Sequence, residues 1–252
     1  MRLLNIWYLI ITVLIFTACK KELSREGGSA NVSRQCISCD YLPVCDSSVF
    51  VYVDSSSFGI DTAEATIYIL GDTVLQGIKY NAITPFAGFD DGLLYHCNNG
   101  IYQSAVVLSE LGINIDSIKK ALLQGVSTPI PITPESIQIR NQATITLLKT
   151  NVSVNTTWTD TLFTIKPLPF ITIAAVWKSQ LLAKDAKHTV LGKTYSNVMH
   201  VKSKPDLTIP GLPLPLNLEL EYYFAKDIGI IESKATTPDG TVSSRLYTYK
   251  LK

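Results

Sequence analysis

The 252-residue sequence predicts a mostly-β fold: an antiparallel curved sheet or open barrel with one short helix. Three observations point that way. In residues 216–224, Leu216, Leu218, Leu220, Tyr222 and Phe224 alternate with Asn217, Glu219, Glu221 and Tyr223, the period of a sheet with one dry and one wet face. Two tight-turn sequences, Asn98-Asn99-Gly100 and Pro238-Asp239-Gly240, lie between β-rich runs. The strand–helix–strand alternation of a parallel sheet is missing.

The elements follow in order. Residues 49–53 are β-rich and end at Asp54 and three serines. Residues 66–70 make a second run, closed by Gly71-Asp72, and strands over 74–83 and 93–97 follow. Asn98-Asn99-Gly100 turns the chain into a strand over 101–108. Residues 114–124 form the helix: Ile115, Ile118 and Leu122 share one face, Lys119 and Lys120 point away, and Gly125 stops it. Residues 127–135 (STPIPITPE) read as a stiff connector between two halves or an edge crossing within one sheet. In residues 171–180, Ile171, Ile173, Ala175 and Trp177 share a face, with Thr172, Lys178 and Gln180 on the other. Residues 205–215, with prolines at 205, 210, 213 and 215, read as a long extended loop. Residues 228–235 and 242–251 close the chain as a hairpin. The expected organisation is an N-terminal β-rich half with the helix, 36–127, and a C-terminal antiparallel β half, 136–252.

Composition narrows the function classes. The chain is 46% hydrophobic, too apolar for a disordered one. Only 17% of its residues are charged, and its net charge of +1 comes without a basic block, so a nucleic-acid partner has no support.

The N-terminus sets the location. After Met1 and Arg2, residues 6–16 are apolar except for Thr12. Eleven helical residues rise about 16 Å, too short for a hydrocarbon core of roughly 30 Å, so the run reads as the core of a secretory signal. Phe16-Thr17-Ala18-Cys19 resembles the lipobox of bacterial lipoproteins, although Phe16 stands where Leu is usual. The resemblance implies a signal peptide over 1–18 and a mature chain that starts at an acylated Cys19. Acyl chains contribute about 0.8 kcal/mol per buried CH₂, so more than one anchors the chain stably. Residues 19–35 carry charge, Gly and Ser, as a flexible tether does. Lys20 follows the Cys, where Asp would suggest inner-membrane retention. The resemblance therefore implies a cell-envelope location at the outer membrane.

Four cysteines remain: Cys36, Cys39, Cys45 and Cys97. An even number in an exported chain points to disulfides, while the Cys36-x₂-Cys39 spacing also permits a four-thiolate zinc site. An oxidising compartment competes against zinc. Three connectivities are open, and the expected one joins Cys45 to Cys97, with Cys36–Cys39 as a local clip.

Two stretches carry a family resemblance. Leu191-Gly192-Lys193-Thr194-Tyr195-Ser196-Asn197-Val198 resembles a strand opening in a family of periplasmic β-rich lipoproteins of unknown function. Residues 221–231 (EYYFAKDIGII) resemble a hairpin of the same family, with Asp227 where the family has Gly. The similarity covers roughly residues 137–252. Such proteins are similar to carriers of the lipoprotein-localisation type, whose curved sheet holds acyl chains, and the resemblance transfers no catalytic residue.

The search for chemistry is thin. There is no nucleophile elbow, phosphate loop, zinc-protease motif or dinucleotide fingerprint. His96, His188 and His200 are far apart in sequence, and His96 and His200 read as structural or solvent-face residues. Asp90-Asp91-Gly92 reads as a turn before Leu93 rather than a calcium corner. Glu219 and Glu221 lie about 7 Å apart on one strand face, a spacing that suits glycosidase carboxylates but is ordinary on a wet face. Asn31, Asn151 and Asn155 open glycosylation sequons, which carry little meaning in a bacterial lipoprotein. No cofactor and no metal are expected.

These readings combine into a lipid-anchored, non-catalytic envelope protein. One short helix cannot cover a sheet of ten or more strands. The sheet must curl upon itself, pack against the other half, or leave a groove. The expected function is therefore binding of a hydrophobic ligand or a partner protein. The competing reading is a carbohydrate-binding or surface-assembly lipoprotein that uses exposed Tyr and Trp.

Overall fold

Alternating strands bury their apolar faces only against a second layer, and here two antiparallel sheets provide it for each other. The computed structural model describes residues 36–37, 39–56, 59–87, 89, 92–109, 114–124, 142–168, 171–206, 208–209, 212–213 and 218–252. Residues 1–35 lie outside these, and with them the signal peptide, Cys19, the tether and Asn31. Asp90, Asp91, Gly125, the 127–135 connector and Leu216 lie outside as well.

The smaller sheet has five strands in the order β5 (Ile69–Leu75), β6 (Ile78–Ile83), β7 (Leu93–Asn98), β8 (Ile101–Val107) and β9 (Gln142–Lys149). The larger has eight, in the order β10 (Thr157–Leu168), β11 (Ile171–Val190), β12 (Lys193–Asp206), β15 (Glu219–Ala225), β16 (Gly229–Thr237), β17 (Gly240–Lys250), β3 (Val49–Ser56) and β4 (Gly59–Thr66). Two small pairs, β1 (Cys36–Ile37) with β2 (Val44–Cys45) and β13 (Thr208–Ile209) with β14 (Leu212–Pro213), are the other strands among the described residues. The helix α1 is Ile115–Gln124, and the Asn114 side chain caps it by accepting from the Ser117 N–H at 2.9 Å.

The fold is thus mostly β and antiparallel with one short helix, as the alternation predicts. It is not a closed barrel, since among the described residues β10 and β4, the two ends of the larger sheet, do not pair with each other. The sheet does curl: β11 and β17 touch although three strands separate them.

One core joins the sheets. It draws Ile83, Tyr95, Tyr102 and Leu148 from the smaller sheet and Trp177, Val201, Phe224 and Leu246 from the larger. On β15 the dry face is Tyr222 and Phe224, opposite Val201 and Met199 of β12. The chain covers this face itself. Phe89 stacks on Tyr222 at 5.9 Å, and the Ala87 carbonyl accepts from Ser233 Oγ at 3.2 Å.

Several expectations need correction. The boundary between 36–127 and 136–252 follows the chain but not the sheets: β3 and β4 extend the larger sheet beside β17, and β9 completes the smaller one. The run 66–70 straddles a break at Ile67–Tyr68, and the run 74–83 is two strands. Gln76 and Gly77 separate them with φ of 53° and 81°, the left-handed pair of a tight hairpin turn. Asn99 and Gly100 repeat that pattern at 48° and 75° where the sequence expects it. Residues 205–215 are not one loop, since Pro205 and Asp206 pair with Trp177 and Val176 inside β12.

The disulfide pairing also differs from the expected one. Cys36 pairs with Cys45 and Cys39 with Cys97, at Cα separations of 4.1 and 6.5 Å. The physical reason is the path of residues 39–45, which lie between the two sheets with Tyr41, Leu42 and Val44 buried. The Tyr41 N–H donates to Tyr102 Oη at 3.1 Å, the Tyr95 hydroxyl donates to the Leu42 carbonyl at 3.3 Å, and the Asp227 N–H donates to the Asp40 carbonyl at 2.6 Å. This wedge carries Cys39 to β7 and turns the chain back so that Cys45 meets Cys36.

Candidate functional site

The wet face of the larger sheet holds a cluster that sequence spacing does not reveal. Cross-strand register sets His200 of β12 opposite Tyr223 of β15, and Tyr223 opposite Glu232 of β16. His200 Nε2 lies 2.9 Å from Glu221 Oε2, and His188 Nε2 lies 2.6 Å from Glu232 Oε2. Both imidazoles stack on the Tyr223 ring, at 4.0 Å for His188 and 4.1 Å for His200, with planes within 12°. The Tyr223 hydroxyl donates to Glu221 Oε2 at 3.1 Å, and Lys234 Nζ sits 5.2 Å from the Tyr223 ring centre. Glu232 is 8% exposed and carries a second partner, Lys234, at 3.5 Å.

The electrostatics are consistent. Burial holds the His200 imidazolium form below its ordinary value of 6.5, outweighing the attraction of Glu221, and His188 and Lys234 add repulsion. His200 is therefore neutral at pH 7. A carboxylate can only accept, so Nε2 carries the proton and donates to Glu221. Burial alone would raise the Glu221 carboxyl, but hydrogen bonds from His200 and Tyr223 and the charge of Lys202 hold it below its ordinary value. Burial, then Glu221, keep the Tyr223 hydroxyl protonated far above its usual range. Each of the two carboxylates is engaged by an imidazole, so the cluster acts as a brace across β11, β12, β15 and β16.

A pH dependence follows with a definite sign. His200 has a folded value below its unfolded one, so its contribution is complete above pH 6.5 and is lost as pH falls below that towards the folded value. Glu221 has a lowered folded value too, so its contribution holds above 4.5 and is lost as pH falls through the folded value. Urea unfolding between pH 8 and pH 4 is expected to show stability falling from about pH 6.5 downwards. His200→Gln is expected to remove the first part of that fall.

The other candidates fall in separate places. Glu219 pairs with Lys202 at 2.6 Å and not with Glu221, so the two carboxylates do not act together. The His96 Nδ1–H donates to the Lys79 carbonyl at 2.9 Å and its ring packs edge-on to Tyr80, a structural role. Trp158 and Trp177 are both buried, which removes them from any glycan-stacking surface. Among the described residues no group of three or more His, Cys, Asp or Glu is arranged to hold a metal ion. None of the described helices is long and apolar enough to cross a membrane. The family-resembling stretches are neighbours: Val198 pairs with Ala225, and the Lys226 N–H donates to the Asn197 carbonyl at 3.2 Å. Asp227 takes φ of 60°, the conformation a Gly there would supply.

A second site lies where the edges of the two sheets meet. Here Thr146 of β9 is held by β10: its N–H donates to Asp160 Oδ2 at 2.7 Å, its hydroxyl to Asp160 Oδ1 at 2.9 Å, and its carbonyl accepts from the Trp158 indole at 3.0 Å. Burial raises the Asp160 carboxyl, moderated by the bonds from Thr146. Beside this staple opens a cleft of about 520 Å³, lined by Gln76, Gln103, Gln142, Thr144 and residues 160–164. Asp160→Ala leaves the Thr146 N–H without its acceptor and is expected to cost about 1–3 kcal/mol in urea unfolding. Asp160→Asn, which keeps a carbonyl acceptor, is expected to cost less.

No family model matches the chain, and no curated protein matches it. Two solved structures are similar to it. One is a presumed exported protein with a YmcC-like fold from Bacteroides fragilis, 8% identical with a TM-score of 0.38, covering 85% of this chain and 100% of that one. The other is a presumed lipoprotein from Parabacteroides distasonis, 11% identical with a TM-score of 0.33 and the same coverage of 85% and 100%.

Proposed function

We propose that this chain is a lipid-anchored, non-catalytic protein of the cell envelope whose β body binds a partner protein. The observation that carries the reading is the pairing of Cys36 with Cys45 and of Cys39 with Cys97. Disulfides persist in oxidising compartments, where the signal-like residues 6–16 would send the chain. Thr17-Ala18-Cys19 supplies the anchor, and Lys20 favours the outer membrane. A partner protein fits better than an apolar guest, because Phe89 and Ala87 already cover the dry face at Tyr222 and Ser233. The His–Glu pairs satisfy one another across the sheet, which suits a rigid scaffold rather than proton transfer.

The anchor is tested by Cys19→Ala in a Gram-negative host. Fatty-acid labelling is expected to disappear and the protein to leave the membrane fraction. Continued acylation of the variant would overturn the reading. Sucrose-gradient separation of the wild-type membranes then tests the outer-membrane assignment.

A further inference from the structure

We infer that the cleft between β9 and β10 receives an extended segment of another polypeptide, which adds as a strand to the free edge of β9 at Gln142–Thr144. The inference rests on the partner-binding reading above and names where the partner docks.

Among the described residues β9 is the last strand of its sheet, paired with β8 on one side only. At Thr146 its other edge is capped, the N–H by Asp160 and the carbonyl by Trp158. Register with β8 is regular from Gln142 to Thr146, and backbone groups alternate sides with a two-residue period. The N–H and C=O groups of Thr144 and Gln142 therefore point the same way as those of Thr146, away from β8 and towards the side on which residues 160–164 of β10 line the cleft. Among the described residues no side chain caps these as Asp160 and Trp158 cap Thr146. The sheet edge is thus stapled at one point and, among the described residues, uncapped at the next two outward-facing residues, which is the geometry of strand addition.

The lining agrees. The cleft, about 520 Å³, falls within the roughly 300–1,000 Å³ of ligand pockets. Gln76, Gln103 and Gln142 bring amides, and Thr161 and Thr164 bring hydroxyls, groups that both donate and accept as a peptide backbone requires, while the Thr144 hydroxyl bonds Tyr80 Oη at 3.0 Å. A glycan would want an exposed ring to stack on. The one ring in the lining, Phe163, is 4% exposed.

The test selects binders to the full-length acylated protein in detergent from a displayed library of random dodecapeptides, then measures the enriched peptides by fluorescence anisotropy. Two variants act on the edge: Gln142→Pro removes a single N–H that bonds nothing in β8, at the first residue of the strand where proline is tolerated, and Thr144→Pro removes the next one together with the hydroxyl that bonds Tyr80. Circular dichroism checks that each is folded. Saturable binding to wild type, weakened tenfold or more by Gln142→Pro, with slowed amide exchange at Gln142 and Thr144, is the expected result. Peptides that bind wild type and the folded Gln142→Pro variant equally would overturn the cleft while leaving the partner-binding reading intact. No enriched peptide at all, with saturable binding on a glycan array, would overturn both.

Discussion

Replacing Cys39 and Cys97 together by serine is expected to lower the unfolding free energy by about 4 kcal/mol. The bond closes a separation of 58 residues, and on the chain-entropy model a loop of that size restricts the unfolded chain by about that amount. Opening Cys36–Cys45, with a separation of 9, is expected to cost less, about 2.5 kcal/mol on the same model. The larger loss also frees the wedge, since Cys39 holds Tyr41 and Leu42 against Tyr102 and Tyr95. Urea unfolding of the two double variants measures both. Equal losses would mean that loop length does not govern them.

Phe224→Ala is expected to cost about 3–5 kcal/mol, the usual range for removing a fully buried aromatic ring. Phe224 is 0% exposed on β15 and packs at 5.9 Å from Tyr222. Tyr247→Ala, on a ring 64% exposed on β17, is expected to change stability by no more than about 0.5 kcal/mol. Thermal and urea unfolding of the pair checks the assignment of faces. Comparable effects at the two positions would place the core wrongly.

The sequence makes some of this fold plain. Residues 219–224 alternate because one face meets the core and the other is more open, so their strand and both faces can be read directly, although Ala225 beside Phe224 is buried as well. Asn99-Gly100 and Pro238-Asp239-Gly240 mark their hairpins because few residues accept the positive φ taken at Asn99, Gly100 and Gly240. Strand β4, with the sequence GIDTAEAT, carries no apolar stripe because it is an exposed edge, and periodicity misses it. Strand β11 runs to 20 residues, yet register shifts between Leu181 and His188 break the alternation that would have revealed its length. Strands β9 and β10 stayed hidden as well, and with them the Thr146–Asp160 staple, whose partners are 14 residues apart.

The polar sites are less legible still. Glu221 and His200 can be placed on wet faces from alternation, but their contact depends on the register between β12 and β15. His188 and Glu232 are 44 residues apart and meet only because the larger sheet curls. The cysteine pairing depends on the wedge at residues 39–45, which no local pattern announces.

Intact mass of the protein extracted from membranes, recorded with and without reductant, tests the central account most directly. It predicts a chain that begins at Cys19 and carries acyl mass there, and that gains four hydrogens when Cys36, Cys39, Cys45 and Cys97 are reduced. A chain without acyl mass, or one with four free thiols and bound zinc, would contradict it.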